Sequence, residues 1–150
     1  SRGYDNERKN FKSFNNFYLS PIICYESVYG EYVTEYTRSG SKLFAIITND
    51  GWWDVSEGHK QHLSYAKLRA IENRRNIVRS ANTGVSAIIN YRGEIEDSIE
   101  YGEEGFINTN VGLIEEKTFY VNYGDYIFRI SLFFFIIIGL HFLATIVKIK

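Results

Sequence analysis

The sequence predicts a layered α/β domain followed by one transmembrane helix. Short runs rich in Ile and Val alternate with helical patterns through most of the chain, as in α/β proteins. One of these runs, Leu43 to Thr48, is continuously apolar, which suits a strand buried on both faces. The last segment, Ile130 to Val147, is a run of about 18 residues with no formal charge, long enough to cross a bilayer. The predicted boundary puts the domain at residues 1–125 and the membrane helix at 126–150.

The elements follow in order. Ser1 to Asn16 is polar, with Arg2, Arg8, Lys9 and Lys12 against Asp5 and Glu7. Its scattered Tyr4, Phe11 and Phe14 show no strong period, so it reads as a loop that packs on something outside this chain. Pro21-Ile22-Ile23 reads as a short strand, with proline tolerated at its first positions. A helix follows near Val28 to Arg38 and stops at Ser39-Gly40-Ser41, with Gly40 as its cap. Leu43 to Thr48 is the next strand. Asn49 to Gly58 is a loop in which Asp50-Gly51 signals a turn.

His59 to Arg75 is the clearest soluble helix. Leu63, Ala66 and Ala70 share one stripe, which Leu68 and Ile71 widen, while Arg69 and Glu72 are spaced to pair on the surface. Ile77 to Ala81 and Val85 to Asn90 flank Asn82-Thr83-Gly84 as a hairpin. Ile95 to Ile99 alternates like a half-exposed strand, and Phe106 to Val111 is the expected last strand. The order is β-α-β-α-β-β-β-β. At the tail, Tyr126 and Phe128 suit a membrane interface and Arg129 can snorkel there. Lys148 and Lys150 close the span and place that end in the cytoplasm, with the domain on the other side, the periplasm in a diderm bacterium. His141 lies within the span and is expected to face other helices.

Composition narrows the function. A formal net charge of −1 gives no electrostatic footprint for nucleic acid. One cysteine makes no internal disulfide. No methionine is present, even at position 1, and this points to a piece of a longer protein. No cofactor motif appears. His59 and His62, three apart, do not form a strong zinc signature and have no third ligand nearby in sequence; one of them is expected to anchor the tryptophan loop by a hydrogen bond.

The stretch Ser20-Pro21-Ile22-Ile23-Cys24-Tyr25-Glu26-Ser27 holds both the only cysteine and the only proline. A thiol at a strand-to-helix junction, near the positive end of a helix dipole, suits a nucleophile. A buried structural cysteine is the other reading, since free cysteine is among the most buried residue types. Trp52 and Trp53 likewise have two readings, a plug at the core edge or a wall beside the thiol.

Five short motifs occur in fixed order: Pro21-Ile22-Ile23-Cys24-Tyr25-Glu26, Ile47-Thr48-Asn49-Asp50-Gly51-Trp52-Trp53, Gln61-His62, Arg69-Ala70-Ile71-Glu72 and Ala81-Asn82-Thr83-Gly84-Val85. Together they resemble the C-terminal half of the nitrilase-type domain of the apolipoprotein N-acyltransferases, over roughly Ile22 to Val111, and the closing span fits that family. The resemblance implies the C-terminal half of an α-β-β-α sandwich with a Glu-Lys-Cys triad. Cys24 would be the nucleophile, the N–H of Tyr25 an oxyanion donor, and Glu26 an acidic residue that holds the site together. Asn49, Asp50, Trp52, Trp53 and His62 would serve substrate binding. The partners implied are a membrane phospholipid as acyl donor and a lipid-modified apolipoprotein as acceptor.

The departures from that family are specific. Its base glutamate and its lysine lie upstream of the matching region, and only Glu7, Lys9 and Lys12 precede Cys24 here, without the motif context. The chain is therefore expected to carry the nucleophile alone and to be inactive in isolation. Asp54 stands where glycine or another small residue is expected. Two other functions are weighed: a carbon–nitrogen hydrolase acting on a small amide or nitrile, which needs no span, and a membrane-anchored module with an inert Cys24.

Overall fold

The structure is a computed structural model that describes residues 8–54 and 56–149. Glu7 and Lys150, and the side chain of Lys148, lie outside the described residues. The described strands form one mixed sheet in the order β1 to β6: Phe11–Lys12, Tyr18–Ile23, Ser41–Thr48, Ile77–Ala81, Ser86–Ile89 and Ile95–Ile99. β2, β3 and β4 run parallel, whereas β1 pairs antiparallel with β2 and the β4-β5-β6 meander is antiparallel. Helices α1 (Gly30–Arg38) and α2 (Glu57–Asn73) supply the two crossovers that parallel pairing requires.

Both helices pack on one face of the sheet. Ile22, Phe44, Ile46, Ile77, Ala87 and Ile89 meet Val33 of α1 and Ala66 and Ala70 of α2 in one buried cluster. This is one α-β half of the expected sandwich. Gly40 follows α1 with φ +97, which fits its predicted capping role. A short helix, α3 (Phe119–Tyr123), then leads into α4 (Tyr126–Ile149). Tyr126–Ile146 has a mean hydropathy of 2.3 and no part of it is buried, so α4 is long and apolar enough to span a membrane and is not a core helix of the described residues.

Four expectations are corrected. The N-terminal segment is not all loop, because Phe11 and Lys12 pair with Leu19 and Tyr18 as an edge strand. Phe106 to Val111 forms no strand. Phe106 and Ile107 lie beside Val78, Ile88 and Ile99, and among the described residues the segment joins no strand ladder. Arg69 and Glu72 do pair, but Arg69 is buried and Glu72 largely so. Burial pushes the Glu72 carboxyl up, against the pull of Arg69. Leu68 and Ile71 do not widen the buried stripe of α2 and are exposed. The stripe is widened by polar residues, His59, His62, Arg69 and Asn73.

Candidate active site

β2 ends at Ile23, and the chain turns at once into a 3-10 helix over Cys24–Val28. Cys24 makes that turn with φ +50, in the left-handed region that costs a side-chain-bearing residue on the order of 1 kcal/mol or more. α1 begins only at Gly30, so the first turn beside the thiol belongs to the 3-10 helix and not to α1. Near the start of such a turn the N–H groups have no intrahelical partner, and that of Tyr25 is one of them.

Glu26 fastens the turn from below. Its Oε2 accepts from the Ile23 N–H at 2.7 Å and its Oε1 from the Tyr32 hydroxyl at 2.8 Å. Burial, with the neighbouring Tyr36 and Glu26, pushes the Tyr32 hydroxyl well up, so it stays a donor. Both Glu26 oxygens are thus committed to holding the end of β2.

The far side of the turn rests on a buried polar network. The Ser27 hydroxyl donates to the Cys24 carbonyl at 2.9 Å and lies 2.9 Å from His62 Nε2. His62 Nε2 is also 3.1 Å from the Cys24 carbonyl, while its Nδ1 is 2.9 Å from Asp50 Oδ1. The carboxylate accepts, which places a proton on Nδ1. Arg79, on β4, donates to Asp50 Oδ2 at 2.5 Å and to the Val85 carbonyl. Asp50, His62 and Arg79 are all buried. Burial alone would push the Asp50 carboxyl up. Hydrogen bonds from His62, Arg79 and Thr48 outweigh it and hold the carboxyl at about 2.

Thr48 links this network to the thiol. Its Oγ1 lies 3.3 Å from Cys24 Sγ and 2.9 Å from Asp50 Oδ1. Among the described residues Sγ has no other hydrogen-bond partner. His62 reaches the carbonyl of Cys24 and not its sulfur, so the two do not form a thiol–imidazole pair of the kind that activates a nucleophile.

The loop after β3 forms a second 3-10 turn, Asp50–Trp53. Asn49 Oδ1 accepts from the Gly51 N–H at 3.1 Å and starts the turn. Trp53 packs 5.3 Å from the His62 ring and 6.4 Å from that of Tyr25. Tyr25, Trp53, Gly58, Gln61, His62 and Tyr65 line a cleft of about 100 Å³. Trp52 is outside that wall and 82% exposed. Asp54 has φ +50 and ψ −148, a backbone conformation suited to glycine, which is why its side chain looked out of place. Lys12 is exposed on β1, with Lys9 just before it.

Over residues 13–115 the chain matches the family of carbon-nitrogen hydrolases. It belongs to that family. Among curated family relatives it is 41% identical to the apolipoprotein N-acyltransferase of Geobacter metallireducens, over 69% of this chain and 20% of the relative. It is 32% identical to the enzyme of the same name from Thermotoga maritima, over 82% of this chain and 25% of the relative. The chain thus spans about a fifth to a quarter of the curated relatives it matches. Solved carbon-nitrogen hydrolase folds agree. A Helicobacter pylori carbon-nitrogen hydrolase superposes with a TM-score of 0.59 at 14% identity, over 67% of this chain and 42% of that one. A Nesterenkonia amidase superposes with a TM-score of 0.57 at 16% identity, over 85% and 48%.

The sequence reading missed Arg79, Ser27 and the exact use of Gly84. A signal existed for the first: Arg79 shares a strand face with the buried Ile77, and a charge there needs a buried partner. Gly84 is obligatory for a simpler reason. A Cβ at this position would run into the Asp50 carboxylate.

Proposed function

We propose that this chain carries the nucleophile and membrane anchor of an apolipoprotein N-acyltransferase, with the base glutamate and the lysine supplied by a part of the protein outside it. The observation that carries this reading is Cys24 held at φ +50 on the end of β2, in a carbon-nitrogen hydrolase fold followed at once by an exposed apolar helix. The names of the curated relatives support the substrate class.

The reaction runs in two displacements. The Cys24 thiolate attacks the acyl ester carbonyl of a membrane phospholipid. The tetrahedral oxyanion accepts from the N–H of Tyr25, the ester C–O bond breaks, and the upstream glutamate returns the proton it took from the Cys24 thiol to the leaving lysophospholipid oxygen. The N-terminal amine of a lipid-modified apolipoprotein then attacks the thioester. An amide bond forms, the same glutamate takes the proton the amine loses, the thioester C–S bond breaks, and Cys24 leaves as thiolate. A thioester must be shielded from water to survive until the amine arrives. Tyr25 and Trp53 form an aromatic wall on one side of the site, and the exposed Trp52 stands beside it as a contact for the acyl chain. Asp50 and His62 act on substrate only through the turn they support, because both are buried and bonded to protein. Asn49 holds the loop that carries the tryptophans. The site lies at the outer face of a bacterial inner membrane.

In the complete protein, in its own membranes, Cys24 is expected to carry a fatty-acyl mass that hydroxylamine removes. Cys24→Ser is expected to lose that adduct and to reduce lipoprotein N-acylation by at least a thousandfold. Normal acylation by Cys24→Ser overturns the reading. Turnover of a soluble amide without phospholipid would place the protein with the amidases of its family instead.

A further inference from the structure

The short helix α3 uses its two sides differently. Its inner side is built into the domain. Val121 is fully buried, the Val121 carbonyl accepts from Arg38 Nε at 2.6 Å, and the hydroxyl of Thr118, which caps the helix, donates to the Glu72 carbonyl. Its outer side carries Phe119 and Tyr123, four residues apart on one face, each 58% exposed. Their rings stack at 4.4 Å, and Tyr126, the first residue of α4, closes on Phe119 at 5.0 Å. Three large rings therefore form one uncovered cluster at the point where the apolar span begins.

The junction between this cluster and the span is fixed. Gly124 has φ +67 and ends α3, and a Cβ there would meet the Glu31 carboxylate. Glu31 Oε1 accepts from the Asp125 N–H at 2.9 Å and from Arg129 Nη2 at 2.6 Å. Asp125 Oδ1 in turn accepts from the Phe128 N–H at 3.1 Å and caps α4. Glu31 lies in the first turn of α1, just past the 3-10 turn that holds Cys24.

We infer that the outer face of α3 lies in the membrane interface, with Phe119, Tyr123 and Tyr126 seated among phospholipid headgroups and upper acyl chains. The inference rests on reading α4 as a membrane span. Continuity favours lipid as the occupant, since the cluster includes the first residue of that span. So does its chemistry. The phenol rings of Tyr123 and Tyr126, apolar with one polar tip, suit the headgroup level, whereas helix-to-helix packing in membranes favours small residues, of which this face has none. Through the Glu31 junction, the depth of α3 would set the height of the Cys24 turn above the bilayer.

The test places the photoreactive residue p-benzoylphenylalanine at Phe119, Tyr123, Phe133 or Phe106 of the complete protein in its own membranes. Phe133 lies inside the span, and Phe106 is 88% exposed on the loop after β6. After irradiation, mass spectrometry is expected to find phospholipid adducts at 119, 123 and 133, at least tenfold above those at 106. Adducts at 133 but not at 119 or 123, or peptide adducts in place of lipid there, overturn the inference and leave the span intact. No lipid adduct at 133 overturns the inference together with the membrane anchor of the proposed function, and neither result touches the acyl adduct expected on Cys24. Hydroxyl-radical footprinting of the unmodified protein gives a second measure without substitution. Phe119 and Tyr123 are expected to be protected like Phe133 while Phe106 is oxidised, and equal oxidation of Phe119, Tyr123 and Phe106 counts against the inference.

Discussion

Asp50 shows how one residue can matter to a site without touching its substrate. Its carboxylate is the shared acceptor for His62 on α2, Arg79 on β4 and Thr48 on β3, and Gly84 leaves the space it occupies. Its pKa, held at about 2, gives a signed prediction. A depressed folded-state value adds stability that is complete above the ordinary aspartate range near 4 and is lost as pH falls through the folded value. The contribution is on the order of 2 kcal/mol at neutral pH. Unfolding midpoints are expected to fall as pH drops from about 4 towards 2, with Asp50→Asn already destabilised by about 3 kcal/mol or more at pH 7 and losing less over that range. Equal acid sensitivity of the two proteins would remove Asp50 from this role. The residue was legible in the sequence only as part of a motif and as a turn signal. Its partner Arg79 was hidden in a run read as apolar strand, because a period-two pattern reports which face a side chain takes and not whom it meets there.

At the scale of elements, α2 departs furthest from a simple amphipathic reading. The sequence located the helix to within two residues at either end. It did not locate the helix's buried face fully, because that face mixes Ala66 and Ala70 with His62, Arg69 and Asn73. Apolar periodicity finds the alanines and then adds Leu68 and Ile71, which the structure exposes. The alanines are small because α2 lies close on the sheet, and Ala70 has no exposed surface at all. Ala70→Leu is expected to overpack the interface and cost roughly 1–3 kcal/mol, while Leu68→Gln stays within about 0.5 kcal/mol, both read from denaturant midpoints of the protein in detergent. A large loss at Leu68 with none at Ala70 would invert the assignment of the face. The β strands were easier to read than this helix. Two readings failed: Phe106 to Val111 is no strand, and Phe11–Lys12, read as loop, pairs with β2 as an edge strand too short to show a period.

At the scale of the molecule, the helices cover one face of the sheet, and the other face is met only beside β4 and β5, where Phe106 and Ile107 lie near Val78 and Ile88. The other face presents Leu19, Pro21 and Ile23 on β2, opposite Leu43, Ala45 and Ile47 on β3, and none of these is fully buried. Ile23 and Ile47, an adjacent cross-strand pair beside Cys24, are each about half exposed. A parallel sheet is ordinarily buried on both sides, and a second sheet packed about 10 Å away is the arrangement that a four-layer sandwich provides. The solved relatives extend to more than twice the part that aligns with this chain, enough for that second layer. The apolar run Leu43 to Thr48 was read as buried on both faces, and the described residues bury only one, so the sequence speaks here for a larger body than the chain itself. A polypeptide of residues 1–125 produced alone is therefore expected to bind the dye ANS strongly and to self-associate. Supplying the remaining part of the nitrilase-type domain in trans should lower dye binding several-fold and protect Ile23 and Ile47 from oxidative footprinting. If the isolated polypeptide is monomeric and binds no dye, the open face is closed by the chain's own residues. The sandwich would then be unnecessary to its stability, and the glutamate and lysine of the proposed function could not reach Cys24 across that face.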